Sequence, residues 1–447
     1  MKITIKCAIL LACLIGAMPL LAKELPSRLI LVIGDGMGME FVTAYRHYKQ
    51  NPDSSVLERT LFDQWLLGMS ATHPHDHQQV TDSAASATAF SAGVKSFNGA
   101  IGVDHHGNPV ETVLERAKKH GYTTAMVATS QINHATPASF AAHIDSRHKY
   151  DEIADQYLDR RYQEMPWVDV LIGGGTRYFV REDRNLVKGF MALGYQYADN
   201  FGAFSGLTRA PALALLAAQG LPYAIDGDMQ DRLTVMARKA LALMPADKPF
   251  FMMIESSQID WCGHANDIAC AMREMADTEA MLYVLKDYAD KHPGTLIVVT
   301  ADHSTGGLSI GADGVYRWRP EVVKNVTASA GVIAKTMKAN AKDWHEHWQA
   351  LTALRLDDQQ KKSLQTRVKS AAKKQEGAAG DEADDQLLAE VLSLINRASH
   401  TGWTSSGHTG GDVPVMAYGP GREAFIGFMD NTDIAKKLFA LLPESSD

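Results

Sequence analysis

Short groups of acidic residues and histidines recur along this 447-residue chain, each after an apolar run. One group is Asp260 with His264, a second is the adjacent pair Asp302 and His303, and a third element is His408 between glycines. Carboxylate oxygens and imidazole nitrogens at such spacings can wrap a divalent cation. A lone histidine at a strand end is typical of a structural residue, but several carboxylates are costly to bury together without a cation. The pattern therefore predicts a metal centre.

Two further acids occupy comparable positions. Asp35 lies in the glycine-rich turn that starts at Gly34, and Glu255 follows the apolar run 250–254. The turn is a weak match to a dinucleotide-binding fingerprint, because Met39 stands where that fingerprint needs a glycine and Asp35 would repel a pyrophosphate. We interpret both acids as candidate cation ligands. The alternative for Asp35 is an ordinary turn residue.

A candidate nucleophile is Ser83, at the start of an alanine-rich segment that is followed by Gly93. Asp82 or Ser83 can cap a short helix that ends near Gly93, which places the Ser83 hydroxyl at the positive end of the helix dipole. Helix caps are commoner than nucleophiles. No histidine relay is evident from the local spacing, so this hydroxyl would have to be activated by a metal ion.

Candidate residues for binding an anion follow the apolar run 123–127. His134 and Thr136 are two positions apart in a loop, and Arg147 lies about ten residues further on. The guanidinium of arginine is the natural bidentate partner of a phosphate or a sulfate. Each of these residues alone is typical of an ordinary polar surface, but their position after a predicted strand favours a role in the site.

The elements that must position these residues are predicted strands that are apolar on both faces. They alternate with helical patterns, which indicates an α/β domain with a mostly parallel sheet. The runs are residues 29–33, 123–127, 168–172, 250–254 and 295–299. Ligands of such sheets bind at the carboxyl ends of the strands. The candidate residues stand at those ends.

Residues from about 320 to 400 follow a different pattern, with helical stretches around a polar segment at 359–386. We interpret them as a largely helical surface insertion with a flexible joint at 375–380. The alternative is a low-complexity interaction tail.

The composition supports a globular protein, with 46% hydrophobic and 21% charged residues and a formal net charge of −8. These values argue against a disordered chain, a collagen-like chain and a membrane protein of many helices. An acidic chain is also a poor binder of duplex DNA, since neutralising phosphates requires clustered lysine and arginine.

The first 22 residues have the features of a secretory signal peptide, namely an early positive charge, an apolar run and a small residue, Ala22, before a polar stretch. A retained signal anchor is a weaker reading because the run is short for a span, and lipoprotein cleavage before Cys13 is a further alternative. We expect a mature domain of residues 23–447 that is periplasmic or secreted and has no membrane span.

The mature chain keeps only Cys262 and Cys270 of the four cysteines. If both lay on one helix, a rise of ~1.5 Å per residue would separate them by roughly 12 Å, too far for a disulfide. We therefore expect free thiols.

Taken together, these segments resemble the alkaline phosphatase family. The resemblance covers most of residues 28–309 and resumes at 400–421, and its motifs occur in the family's order: Asp82-Ser83-Ala84, Asp260 with His264, Asp302-His303 and Ser406-Gly407-His408. It implies a three-layer α/β/α sandwich around a mostly parallel sheet. It also implies hydrolysis of small phosphate monoesters through a phosphoserine on Ser83, with Arg147 holding the phosphate.

The resemblance further implies two zinc ions and one magnesium ion. The first zinc would be held by Asp260, His264 and His408, and the second by Asp35, Asp302 and His303. The magnesium would be held by Asp35, Thr136 and Glu255. A homodimer is a family expectation.

Two residues depart from some bacterial members of the family. His134 stands where these have aspartate, and Trp261 where some have lysine, which bears on the metal preference of the third site and on phosphate binding. We hypothesise that Trp261 in place of lysine weakens bound phosphate and speeds product release.

Three other functions are compatible with parts of this pattern. A phosphodiesterase of the same superfamily is the nearest, whereas a sulfatase would need a modifiable residue in a motif that positions 82–86 lack. The third, a secreted zinc-binding protein without turnover, would need neither Ser83 nor Arg147.

Overall fold

The computed structural model of the protein describes residues 25–229, 231–373 and 378–443. The predicted signal peptide, residues 1–22, therefore lies outside the described residues. The strands are β1 (Arg28–Gly34), β2 (Leu66–Ala71), β3 (Thr123–Gln131), β4 (Arg161–Tyr162), β5 (Met165–Pro166), β6 (Val170–Gly174), β7 (Gln196–Ala198), β8 (Ala212–Leu215), β9 (Phe250–Ser256), β10 (Thr295–Ala301), β11 (Ser304–Thr305), β12 (Ser309–Ile310), β13 (Thr401–Gly402), β14 (His408–Thr409), β15 (Val413–Tyr418) and β16 (Gly427–Asp430).

The helices lie between these strands and in one long segment after β12. They are α1 (Met39–Lys49), α2 (Leu61–Trp65), α3 (Ser83–Ala92), α4 (Val113–Lys119), α5 (Ala135–Ala138), α6 (Tyr150–Asp159), α7 (Thr176–Phe179), α8 (Leu186–Ala192), α9 (Phe201–Ser205), α10 (Arg232–Leu243), α11 (Gln258–His264), α12 (Ile268–Lys291), α13 (Pro320–Asn325), α14 (Ala330–Ala339), α15 (Trp344–Thr352), α16 (Asp358–Ala371), α17 (Ala378–Ser399) and α18 (Asn431–Leu441). A single 3₁₀ turn, Arg422–Phe425, precedes β16.

The central sheet has ten strands in the order β16-β2-β15-β10-β1-β9-β3-β6-β8-β7. Strand β15 runs antiparallel to both of its neighbours, β10 and β2. The other pairings in this sheet are parallel. All five apolar runs of the sequence form strands of this sheet, so the prediction of a mostly parallel sheet is confirmed.

Helices cover both faces of the sheet. The side chains of β1 alternate between two apolar cores, with Ile30 and Val32 in one and Leu29, Leu31 and Ile33 in the other. A strand buried on both faces is what a parallel sheet between two helical layers requires. The structure is therefore the expected three-layer α/β/α sandwich.

The prediction of free thiols is wrong: Cys262 and Cys270 form a disulfide, with their Cα atoms 5.5 Å apart. The two cysteines do not lie on one helix. Helix α11 ends at His264, and α12 begins at Ile268 after a turn in which Asn266 has a φ of 53°. The turn brings the second cysteine back beside the first, so the separation of a continuous helix does not apply.

Residues 320–399 contain α13 to α17, which pack on one another and on α1. Their buried side chains, among them Trp348 and Leu364, belong to the same apolar core as Ile30 and Val32. Residues 374–377, which include the first three residues of the predicted flexible joint, lie outside the described residues.

None of the described helices is both long enough and apolar enough to cross a membrane.

Candidate active site

Three adjacent strands place three acids at one edge of the sheet. β10, β1 and β9 are neighbours, and Asp302, Asp35 and Glu255 stand at or just beyond their carboxyl ends. The polypeptide turns away at Gly36, which has a φ of 71° and whose backbone N–H donates to Asp302 Oδ1 over 3.0 Å. The pairing of these strands thus brings carboxylates from three distant segments together in one cluster.

The residues predicted to hold the second zinc are Asp35, Asp302 and His303, and all three are fully buried. Nε2 of His303 lies 3.1 Å from Asp302 Oδ2 and 3.5 Å from Asp35 Oδ1. Both Asp35 carboxylate oxygens and Oδ2 of Asp302 have no hydrogen-bond partner among the described residues. Buried, unpartnered carboxylate oxygens around an imidazole fit a divalent cation.

The residues predicted to hold the first zinc are Asp260 and His264 on α11 and His408 on β14. The Nδ1 atoms of His264 and His408 lie 2.6 Å and 2.9 Å from the carbonyl oxygens of Ser406 and Thr81. Carbonyl oxygens only accept, so each Nδ1 carries a proton, and each Nε2 can either donate to Asp260 when protonated or present its lone pair to a cation.

The two Nε2 atoms of His264 and His408 are only 3.1 Å apart. Asp260 lies beside both, at 3.3 Å and 3.7 Å from them. Although burial raises the pKa of Asp260, its hydrogen bond with His264 and the nearby imidazoles hold that pKa below its usual range. Two facing lone pairs next to a carboxylate form the donor set of a nitrogen- and oxygen-ligated cation.

A third group consists of Asp35, Glu255 and His134. Glu255 Oε1, His134 Nδ1 and the hydroxyl of Thr136 are buried and without hydrogen-bond partners among the described residues. Burial, reinforced by Arg147, lowers the pKa of His134 to about 3, so this ring is neutral. Burial also raises the pKa of Glu255 to about 7.

The acids of the clusters repel one another. Burial, followed by the charges of Asp302, Asp260 and Glu255, raises the pKa of Asp35 well above its ordinary value. Bound cations would remove this repulsion. The clusters therefore suit metal-binding sites better than they suit a buried polar core without cations.

Ser83 is the first residue of α3, as predicted, and the helix ends at the left-handed Gly93. Asp82 is the cap, because its side chain accepts from the N–H of Ala85. The Ser83 hydroxyl is buried and lies 3.2 Å from Nε2 of His303. The candidate nucleophile therefore adjoins the Asp35, Asp302 and His303 group.

Arg147 contacts Asp82, the residue that directly precedes Ser83. Its guanidinium donates to Asp82 Oδ2 over 2.9 Å, and Nη2 lies 3.3 Å from Nε2 of His134. These residues line a cavity of about 370 Å³ together with Asp260, Trp261, His264, His408, His148 and Tyr150. The ring of Trp261 stands edge-on to His134, with the ring centroids 6.1 Å apart.

Sequence reasoning assigned no role to several residues that contact this site. Thr305 donates to Asp260 Oδ1 over 2.5 Å, and Ser130 donates to Glu255 Oε2 over 3.2 Å. The only signal for Thr305 was its position two residues after His303. Tyr150 and His148, which line the cavity, follow Arg147 closely in the sequence but carried no signal of their own.

Comparison with known proteins identifies the family and the fold. The family model for alkaline phosphatase matches residues 27–443. This chain belongs to the alkaline phosphatase family. Alkaline phosphatase 3 of Bacillus subtilis is 45% identical over 416 residues, which are 92% of this chain and 88% of that protein. The repressible alkaline phosphatase of Saccharomyces cerevisiae is 31% identical over 449 residues, covering 89% of this chain and 76% of that protein.

Solved structures of alkaline phosphatases share the fold. The cold-active enzyme of a psychrophilic Shewanella species superposes with a TM-score of 0.86 at 40% identity, over 93% of this chain and all of that one. The enzyme of the Antarctic bacterium TAB5 gives a TM-score of 0.69 at 26% identity, over 94% of this chain and 98% of that one. A histidine-to-aspartate mutant of the TAB5 enzyme has Mg bound in its M3 site.

Membership of the alkaline phosphatase family excludes one of the alternative functions. The chain is an enzyme of a metal-dependent family, so the interpretation as a secreted zinc-binding protein without turnover is wrong.

Proposed function

We propose that this alkaline phosphatase hydrolyses phosphate monoesters in two steps through a phosphoserine on Ser83. The observation that carries the proposal is the Ser83 hydroxyl, which adjoins His303 of one candidate cation group and directly follows Asp82, the residue that accepts from the Arg147 guanidinium. The relatives at 45% and 40% identity, both named alkaline phosphatases, support monoester hydrolysis as the reaction.

We assign the cations by the chemistry of their donor sets. The groups that contain histidine, Asp260 with His264 and His408 and Asp35 with Asp302 and His303, suit two zinc ions. The oxygen donors of Asp35, Thr136 and Glu255 suit magnesium, which prefers hard oxygen ligands. The Mg in the M3 site of the TAB5 mutant supports a magnesium-type ion there.

In the first step, Ser83 Oγ attacks phosphorus, the bond from Oγ to phosphorus forms, and the bond from phosphorus to the alcohol oxygen breaks. In the second step, water attacks phosphorus from the side opposite Ser83, the bond from phosphorus to Oγ breaks, the serine oxygen takes up a proton and inorganic phosphate leaves. Two successive in-line attacks retain the configuration at phosphorus. Divalent cations bound in these groups would supply charge that stabilises the phosphoryl oxygens and acidifies the attacking hydroxyl groups. Arg147 would orient the phosphate by two parallel hydrogen bonds.

The test is an assay of p-nitrophenyl phosphate, a bis-ester and a sulfate ester with the mature protein, with and without a chelator. Ser83→Ala should lower monoester turnover by at least about 10³-fold, because the nucleophile is lost. Its control is Ser91→Ala, at the far end of the same helix, where the buried hydroxyl donates to Ser139 O over 2.7 Å.

Turnover that survives in Ser83→Ala would overturn the covalent mechanism. Faster cleavage of the bis-ester than of the monoester would instead favour the phosphodiesterase alternative. Mass spectrometry of acid-quenched protein should find one phosphoryl group on the peptide that contains Ser83.

We also propose export of the mature chain to the periplasm or the medium, and we keep the homodimer as a prediction. N-terminal sequencing of the exported protein tests the cleavage site after Ala22, and light scattering tests the oligomeric state.

A further inference from the structure

Helix α11 carries two of the proposed ligands, Asp260 and His264, yet it has little stability of its own. It has only seven residues, it contains Gly263, and Ser257 provides no side-chain cap. Isolated helices of this length are marginal in water. The orientation of its ligands must therefore come from contacts with other elements.

The first contact is made by Gln258, a fully buried side chain at the start of α11. Its Nε2 donates to the carbonyl oxygens of Leu221 and Thr129, over 2.5 Å and 3.3 Å. Its Oε1 accepts from Nη2 of Arg232 over 2.5 Å. Both ends of the amide are thus hydrogen-bonded, and these bonds fix the position of the first turn of α11.

Arg232 is in turn fixed to α12. Its side chain is only 2% exposed, and it donates to both carboxylate oxygens of Glu274, over 2.9 Å and 2.8 Å, and to Asp277 over 3.0 Å. A buried guanidinium is tolerated only when it is paired in this way. Glu274 also accepts from the backbone N–H of Ala224 over 2.8 Å.

The second contact is the disulfide between Cys262 and Cys270, which joins α11 to the first turn of α12. Cys262 lies midway between Asp260 and His264, and both sulfur-bearing side chains are buried. With Glu274 also close by, this group has the composition of a metal site. The disulfide removes the free thiolates that a metal would need.

We propose that these two contacts act together as a positioning device for the first zinc site. We call the device the α11 clamp and define it as Arg232, Gln258, Glu274 and the disulfide between Cys262 and Cys270. The clamp holds Asp260 and His264 in place through the backbone of α11, and none of its members is a proposed zinc ligand. This inference rests on the zinc site of the proposed function.

The experiment measures zinc release from the zinc-loaded protein to a chromophoric chelator. A His408→Ala protein, which should lack the first site, identifies the release phase of that site. Gln258→Met keeps the length of the side chain but removes its amide. The matched control is Gln196→Met on β7, a glutamine whose amide also bonds the backbone, at 2.8 Å from the N–H of Thr208.

Gln258→Met should speed release from the first site by about 10-fold to 100-fold, the range for partners that orient metal ligands. Release from the second zinc site should be unchanged in Gln258→Met. Release from both sites should be unchanged in Gln196→Met. The Cys262→Ala/Cys270→Ala protein should also release zinc faster from the first site alone. This second variant tests the proposal if Gln258→Met does not fold.

Equal release rates in Gln258→Met and Gln196→Met would overturn the clamp, and so would equal acceleration of both phases. A wild-type protein that binds two zinc ions but does not cleave monoesters would overturn the proposed function and leave the clamp testable. A wild-type protein that binds no zinc would overturn both.

Discussion

The hydroxyl oxygen of Ser83 lies 3.2 Å from Nε2 of His303, although the two residues are 220 positions apart in the chain. The same nitrogen lies within 3.5 Å of carboxylate oxygens from Asp35 and Asp302. The hydroxyl at the start of α3 and the acids at the ends of β1 and β10 therefore converge on one imidazole. A nucleophile and a cation site that share this atom need no separate histidine relay, and the local sequence around Ser83 predicts none.

Arg147 is expected to determine phosphate affinity. Its guanidinium reaches Asp82 and His134 at once, which the single ammonium of lysine cannot reproduce. Arg147→Lys should raise the inhibition constant for inorganic phosphate by about 10-fold to 100-fold, the value of a lost charge-assisted hydrogen bond. Arg160→Lys, which changes an arginine bonded to Glu115 and Ala141, is the control. Identical phosphate inhibition in the two variants would contradict the assignment.

His134 is expected to set the metal preference of the third site. Its ring is neutral and buried beside Asp35 and Glu255. His134→Asp should increase the magnesium content of purified protein and its activation by magnesium, because a third carboxylate suits a hard cation. His148→Asp adds the same charge at the wall of the cavity, outside that group. If both variants responded equally to magnesium, the effect would be one of general charge rather than of coordination.

Gly36 is expected to be intolerant of a side chain for two separable reasons. Its φ of 71° is strained for other residues by about 1–2 kcal/mol, and an added Cβ would lie 2.8 Å from Asp260 Cα and Thr305 Oγ1. Gly121→Ala has the same strain, with a φ of 77°, but meets nothing within 4 Å.

Gly36→Ala should therefore lose both thermal stability and zinc affinity, whereas Gly121→Ala should lose stability alone. Calorimetry and zinc titration measure the two effects. Unchanged zinc affinity in Gly36→Ala would refute the idea that this turn supports Asp260.

Asp277 is expected to make stability depend on pH. Burial, opposed by Arg232 and reinforced by Glu274, raises the pKa of Asp277 from 3.8 to about 7. An acid with a raised pKa binds more protons in the folded state, so its contribution to stability falls as the pH rises from about 4 to about 7.

Asp277→Asn removes this titration, so its unfolding free energy relative to wild type should rise across that window. Urea unfolding of both proteins between pH 4.5 and pH 8 tests this. Asp287→Asn, an exposed carboxylate on the same helix paired with Lys291, should keep a constant difference from wild type. A constant difference for Asp277→Asn as well would refute the assignment.

Much of the fold was predictable because its strands are short, continuous apolar runs buried on both faces. The rule that ligands bind at strand ends then located Asp35, Glu255 and Asp302. The helix at Ser83 was predictable from its cap and its terminal glycine. In each case the signal is local, within about ten residues.

The contacts that were missed depend on packing between distant segments. Gln258 and Arg232 meet only because α10, α11 and α12 pack together, and no local pattern reports that. The disulfide was missed because Asn266 reverses the chain in a stretch whose composition is helical. Whether a residue between two helices adopts the left-handed conformation depends on tertiary contacts, and sequence periodicity does not report those contacts.

Strand β15 has a consequence for how the enzyme matures. It lies between β10 and β2, so it is what attaches β2 and the edge strand β16 to the rest of the sheet. His408 lies just before it. A chain truncated before residue 408 lacks both a proposed ligand of the first zinc site and the strand that joins the two parts of the sheet. Competence for the proposed phosphate chemistry and completion of the sheet therefore depend on the same short segment, residues 408–418.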